Sequence, residues 1–107
     1  MKTKIYIVLV FFDENDSEIK FPVINNIDFL AINLFSVPRK GDSFIIDTKF
    51  DSLKPFEESM YRNRSFSAEE SDNIYEFLKS FKTTEFIVHN VRYDYCGGVD
   101  LILKPKV

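Results

Sequence analysis

Residues 4–12 read KIYIVLVFF, and this run constrains the fold more than any other part of the chain. It is rich in β-branched and aromatic residues, which favour extended backbone. Its apolar residues fall on both parities. Ile5, Ile7, Leu9 and Phe11 belong to one face of a strand, and Tyr6, Val8, Val10 and Phe12 to the other. A strand with two apolar faces is stable only where other elements cover both, so it belongs near the centre of a sheet. A bilayer crossing takes about 20 residues, and this run has nine before the polar DENDSE. It also lacks the small residues of a leader cleavage site. A buried strand is the expectation.

Further extended segments follow. Polar residues 13–17 supply a turn, and Glu18–Ile24 alternates with Ile19, Phe21 and Val23 on one face. Pro22 has no amide donor, so this second strand is expected at an edge or a bulge. In residues 25–36, Phe29, Ala31, Phe35 and the following Val37 fit one strand face, and Leu30, Ile32 and Leu34 the other. A short helix is the alternative there. After the bend VPRKG the chain resumes as DSFIIDTKF, with Phe44 and Ile46 on one face and Ile45 opposite. Residues 51–65 leave one or two helical turns or an irregular connection open, with Ser52 as a cap and Pro55 in a first turn.

The spacing predicts an amphipathic helix over 68–81. Ser67 and Glu70 form the reciprocal capping pattern, and Ile74, Phe77, Leu78 and Phe81 make one apolar stripe. Residues 85–105 read as a hairpin. Ile87, His89, Val91, Tyr93 and Tyr95 share one parity, Gly97-Gly98 form the turn, and Val99, Leu101 and Leu103 return. The expected class is α+β. A small antiparallel sheet of five to six strands, as a partly closed β-barrel, carries one helix inserted before the C-terminal hairpin.

The chain has 107 residues, the size of a single domain over 1–107. Apolar residues at 45% and charged residues at 29% describe a globular chain. Twelve Phe and five Tyr supply large buried areas per side chain. Net charge is −3, and neither half is basic: residues 1–50 hold six cations and seven acids, residues 51–107 eight and ten. A duplex-binding surface needs a positive face, so the balance weighs against it. Cys96 is the only cysteine and His89 the only histidine. No intrachain disulfide is possible, a Cys/His zinc site lacks ligands, and a lone thiol suits a reducing cytoplasm.

Candidate chemistry is sparse. In VPRKGD, Pro38 and Gly41 are turn residues that leave Arg39 and Lys40 in water. The functional alternative makes Arg39 and Lys40 an anion or nucleic-acid contact, although one glycine with no helix after it is not a phosphate loop. In MYRNRSF, Tyr61, Arg62 and Arg64 combine the aromatic and guanidinium groups that anchor protein interfaces or stack on unpaired bases. Acidic Asp13, Glu14 and Asp16 lack calcium-loop spacing. On an unbroken strand His89 and Cys96 have opposite parity and lie roughly 23 Å apart, too far for a nucleophile–base pair. Asp94 and Asp100 flank an exposed turn. No catalytic, cofactor or metal site is expected, and the chain does not read as an enzyme.

The bend Val37, Pro38, Arg39, Gly41 and Asp42, with Phe86, Val88 and Val91 and then Val99, Leu101 and Leu103, resembles small uncharacterised bacterial β-barrel proteins of the Src-homology-like type. That resemblance covers about half of the chain and implies a barrel but no activity, because such barrels serve many roles. The helix-bearing insert at 51–82 departs from a minimal barrel. The leading functional expectation is a non-catalytic protein-binding or regulatory module in a bacterial cytoplasm, without membrane association. The alternatives are a single-stranded nucleic-acid-binding barrel and a small acidic immunity or inhibitor-type protein.

Overall fold

The computed structural model describes residues 4–45, 56, 65–81, 85–95 and 97–106. Among the described residues six strands form one sheet that carries helix α1, an α+β arrangement: β1 (Ile5–Phe12), β2 (Glu18–Ile19), β3 (Leu30–Leu34), β4 (Ser43–Ile45), α1 (Ala68–Lys79), β5 (Glu85–Tyr93) and β6 (Val99–Pro105). The strand order is β2-β1-β6-β5-β4, and β3 also pairs with β1. β6 occupies one edge of β1, so β2 and β3 share the other. β2 meets Phe11 and Phe12, and β3 meets Ile5 through Leu9. β1 is therefore central, as expected, but only its Ile7, Leu9 and Phe11 face is fully buried; Tyr6, Val8, Val10 and Phe12 on the other are half-buried.

Two features depart from the sequence expectation. β1 and β6 run parallel, with Ile7 beside Val99 and Phe11 beside Leu103, so the sheet is mixed and not wholly antiparallel. The sheet also stays open, because no ladder joins β4 to β2 or β3 among the described residues. The connection from Leu34 at the end of β3 to Ser43 at the start of β4 lines a surface depression.

The core lies on the face that carries the helix. β1 contributes Ile7, Leu9 and Phe11; β6 contributes Val99, Leu101 and Leu103; Ile74, Leu78 and Phe81 come down from the helical segment, and Phe56 joins them. Phe11 is the hub of an aromatic cluster. Its ring stacks on Phe81 at 4.7 Å and meets Phe86 at 5.3 Å and Phe77 at 5.9 Å. Such offset and edge-on pairs add about 0.5–1.5 kcal/mol each beyond area burial.

The helix begins as the sequence predicts. The Ser67 N–H donates to Glu70 Oε1 at 2.8 Å, and the Glu70 N–H donates back to Ser67 Oγ at 3.2 Å. It ends two residues before 81. Ser80 caps it by donating its hydroxyl to the Phe77 carbonyl at 2.5 Å, and Phe81 follows in a tightened turn.

Two strands are shorter than their patterns suggest. β2 stops at Ile19, ahead of Pro22, and Val23 is 71% exposed. Ile24 and Ile27 exchange backbone bonds of 3.0 and 2.9 Å around Asn25 and Asn26, whose φ angles of 49° and 71° make a two-residue hairpin turn. β3 begins only at Leu30 and turns Leu30, Ile32 and Leu34 towards the core; Phe29 and Phe35, assigned to a strand face, are exposed. β4 is described only to Ile45, and the Ile46 assignment lies outside the described residues. In β5 the register shifts between Val88 and Asn90. His89 therefore leaves the ladder, and Phe86, Val88 and Val91 all reach the core side, which the single parity read from sequence did not anticipate.

Candidate functional site

The bend at Pro38–Gly41 is built by its backbone. The Asp42 N–H donates to the Arg39 carbonyl at 2.9 Å, closing a four-residue turn with Gly41 third at φ 95°. That position of a type II turn demands a positive φ. The Gly41 N–H donates to the Val88 carbonyl at 2.8 Å, and the Val88 N–H donates to the Asp42 carbonyl at 2.9 Å, so two residues oppose one in a glycine bulge. Asp42 Oδ2 accepts from the Arg39 N–H at 2.8 Å. Gly41 and Asp42 thus have structural tasks, and the Arg39 and Lys40 side chains are exposed.

The β1–β2 and β5–β6 loops repeat one device. Asp13 and Asp94 each donate N–H to the carbonyl four residues on, Ser17 at 2.8 Å and Gly98 at 3.0 Å. Each carboxylate accepts the N–H of that same residue, at 2.9 and 3.0 Å. The fourth loop position is left-handed in both, Asp16 at φ 64° and Gly97 at φ 90°. Gly98 serves space instead: a Cβ there would meet the Asp94 carboxylate at 2.5 Å. These acids are loop ligands of their own backbone. Among the described residues no group of three or more His, Cys, Asp or Glu gathers as a metal-binding cluster.

The described cations on β5 and β6 and just after β6 are paired. Arg92 lies 3.4 Å from Asp100 directly across the β5–β6 ladder, Lys106 lies 3.6 Å from Glu85, and Lys104 binds Asp16. The Lys104 hydrogen bond and charge hold the Asp16 carboxyl below its ordinary range, with a smaller contribution from His89. Burial pushes the Tyr6 hydroxyl up. His89 is exposed on its bulge, while Cys96 lies outside the described residues. The strand does not run unbroken to Cys96, because β5 carries a bulge at His89 and ends at Tyr93. Tyr61, Arg62 and Arg64 also lie outside the described residues.

One surface groove was not singled out from sequence. β2 leaves β1 after Phe11–Ile19, and β3 joins it at Leu9–Leu30, so Val10 faces neither of them. A groove of about 260 Å³ opens at this gap. Its floor is β1 from Val8 to Phe11, with Phe77 of the helix below. Ile19, Phe21 and Val23 form one wall, and Phe29 and Leu30 the other. Glu18, Lys20 and Asp28 complete the lining. Val23 at 71% and Phe29 at 36% exposure are two of the large apolar side chains that the fold leaves in water. The sequence signals are Pro22 and Asn25-Asn26, which end the strand early and leave its apolar residues at a broken edge.

No family model, curated protein or solved structure matches the chain. Among the described residues, no helix is long and apolar enough to cross a membrane.

Proposed function

We propose that this chain is a non-catalytic protein-binding module of a bacterial cytoplasm, and that the groove beside β1 receives an apolar anchor from its partner. One observation carries the reading: Val23 and Phe29, two of the exposed large apolar side chains, line one groove together with β1 and Phe77. Covering such side chains removes apolar surface from water at about 25 cal/mol per Å², and aromatic residues in preformed pockets dominate protein interfaces. The size supports a side chain as occupant, since pockets for whole drug-sized ligands run at roughly 300–1,000 Å³. Tyr61, Arg62 and Arg64 are proposed as further partner contacts through their guanidinium and aromatic groups.

A photo-crosslinking residue placed at position 23 in the native host tests this. One discrete protein adduct is expected, absent when the crosslinker stands at Tyr95 and lost on Phe29→Asp. Adduct yield unchanged by Phe29→Asp removes the groove. Since Phe29 is partly packed, the fully surface change Lys20→Glu is read beside it. Replacing Tyr61, Arg62 and Arg64 by alanine without loss of the adduct removes those three.

A further inference from the structure

Resting on the groove reading above, we infer that the preferred occupant is a peptide segment whose apolar anchor, aromatic or aliphatic, is flanked by basic side chains. The apolar lining selects the anchor. The charged lining selects its neighbours, because it is acidic by two groups to one: Glu18 and Asp28 against Lys20. All three are exposed, and none is ion-paired among the described residues. They differ in this from Arg92, Lys104 and Lys106, each already held by a carboxylate. Glu18 and Lys20 stand two residues apart on one wall, and Asp28 belongs to the other, so acids border the apolar floor on both sides. A cation beside the anchor meets a carboxylate that no partner within the described fold has neutralised. A carboxylate beside the anchor meets like charge, which lowers affinity and slows encounter.

The whole chain, labelled with ¹⁵N, is titrated with three synthetic heptapeptides made of Gly and Ser around a variable centre. The first carries Phe between two Lys, the second Phe between two Glu, and the third Ser between two Lys. Amide shifts are expected in residues 18–23 and 28–30 with the first peptide. Its affinity is expected to exceed that of the second about fivefold at low salt, with the gap narrowing as salt rises. The double variant E18K/D28K should reverse the order, and both of its changes are on the surface. The Ser-centred peptide should leave the groove unperturbed.

Equal affinities for the Lys-flanked and Glu-flanked peptides overturn the charge selection and leave the groove reading standing. Groove shifts that grow with the protein's own concentration identify a second copy as occupant and overturn the inference. Neutral N-acetylphenylalaninamide binding as tightly as the Lys-flanked peptide makes the site one for small apolar molecules, with the same consequence. No groove shift with any peptide also overturns it, and the cross-link at position 23 then decides independently whether the groove reading survives.

Discussion

At the scale of single residues, left-handed backbone places a clear demand on residue choice. Asn25 and Asn26 both sit at positive φ between Ile24 and Ile27, and Ile27 is 3% exposed. Asparagine tolerates that region better than most residues, but glycine pays no Cβ penalty there. A two-residue turn with both central φ positive favours Asn-Gly above other pairs. Asn26→Gly is therefore expected to raise stability by about 0.5–1 kcal/mol, read as a higher urea midpoint at unchanged slope. A lower midpoint would show that the turn does not have this geometry. Gly98 obeys a different rule, since it lacks a side chain to leave room for the Asp94 carboxylate that accepts its own N–H. The residues of the PRKGD bend were legible as a turn because Pro and Gly punctuate it. The glycine bulge onto Val88 was not, because it depends on a strand more than 40 residues away.

At the scale of elements, the helix shows how a local pattern converts into packing. Its cap and its apolar stripe are both visible in sequence, and both form. The stripe is not uniform. Ile74 and Leu78 are 0% and 1% exposed, whereas Phe77 is half-buried and meets Phe11, Phe21 and Phe81 edge-on below the groove. Leu78→Ala is expected to cost about 2–5 kcal/mol. Phe77→Ala should fall below the usual 3–5 kcal/mol for a buried phenylalanine, because part of its ring never leaves water and the gap opens to solvent. Denaturant unfolding of both variants checks the order, and a larger cost for Phe77 would place it in the core proper. Strand lengths were less legible. Alternation in residues 18–24 marks a face but does not reveal that Pro22 and the Asn pair end the pairing. The groove arises from that early ending, so its lining read as ordinary strand residues.

At the scale of the whole molecule, the strand near each end of the sequence lies at the middle of the sheet. Parity told which residues of β1 and β6 face the core, but not that the two are neighbours or that they run parallel. Direction and order are set by contacts across nearly the whole chain, which no local window contains. The arrangement has a consequence for local stability. β1 is paired on both edges and β6 lies between β1 and β5, with Ile7, Leu101 and Leu103 fully buried. β4 has three residues at the sheet margin with Ile45 largely exposed, and β2 has two. Elements with few buried contacts open locally, while central ones exchange only when the fold opens as a unit. Native-state hydrogen exchange should therefore find the slowest amides within Ile7–Phe11 and Leu101–Leu103. Those of Ser43–Ile45 and Ile19 should exchange at least about tenfold faster. The slow set should respond to denaturant with the slope of global unfolding. If the β6 amides exchanged as fast as those of β4, β6 would not lie between β1 and β5. The first and last strands would then not be parallel neighbours, and the edge of β1 that opens into the groove would have no central strand behind it.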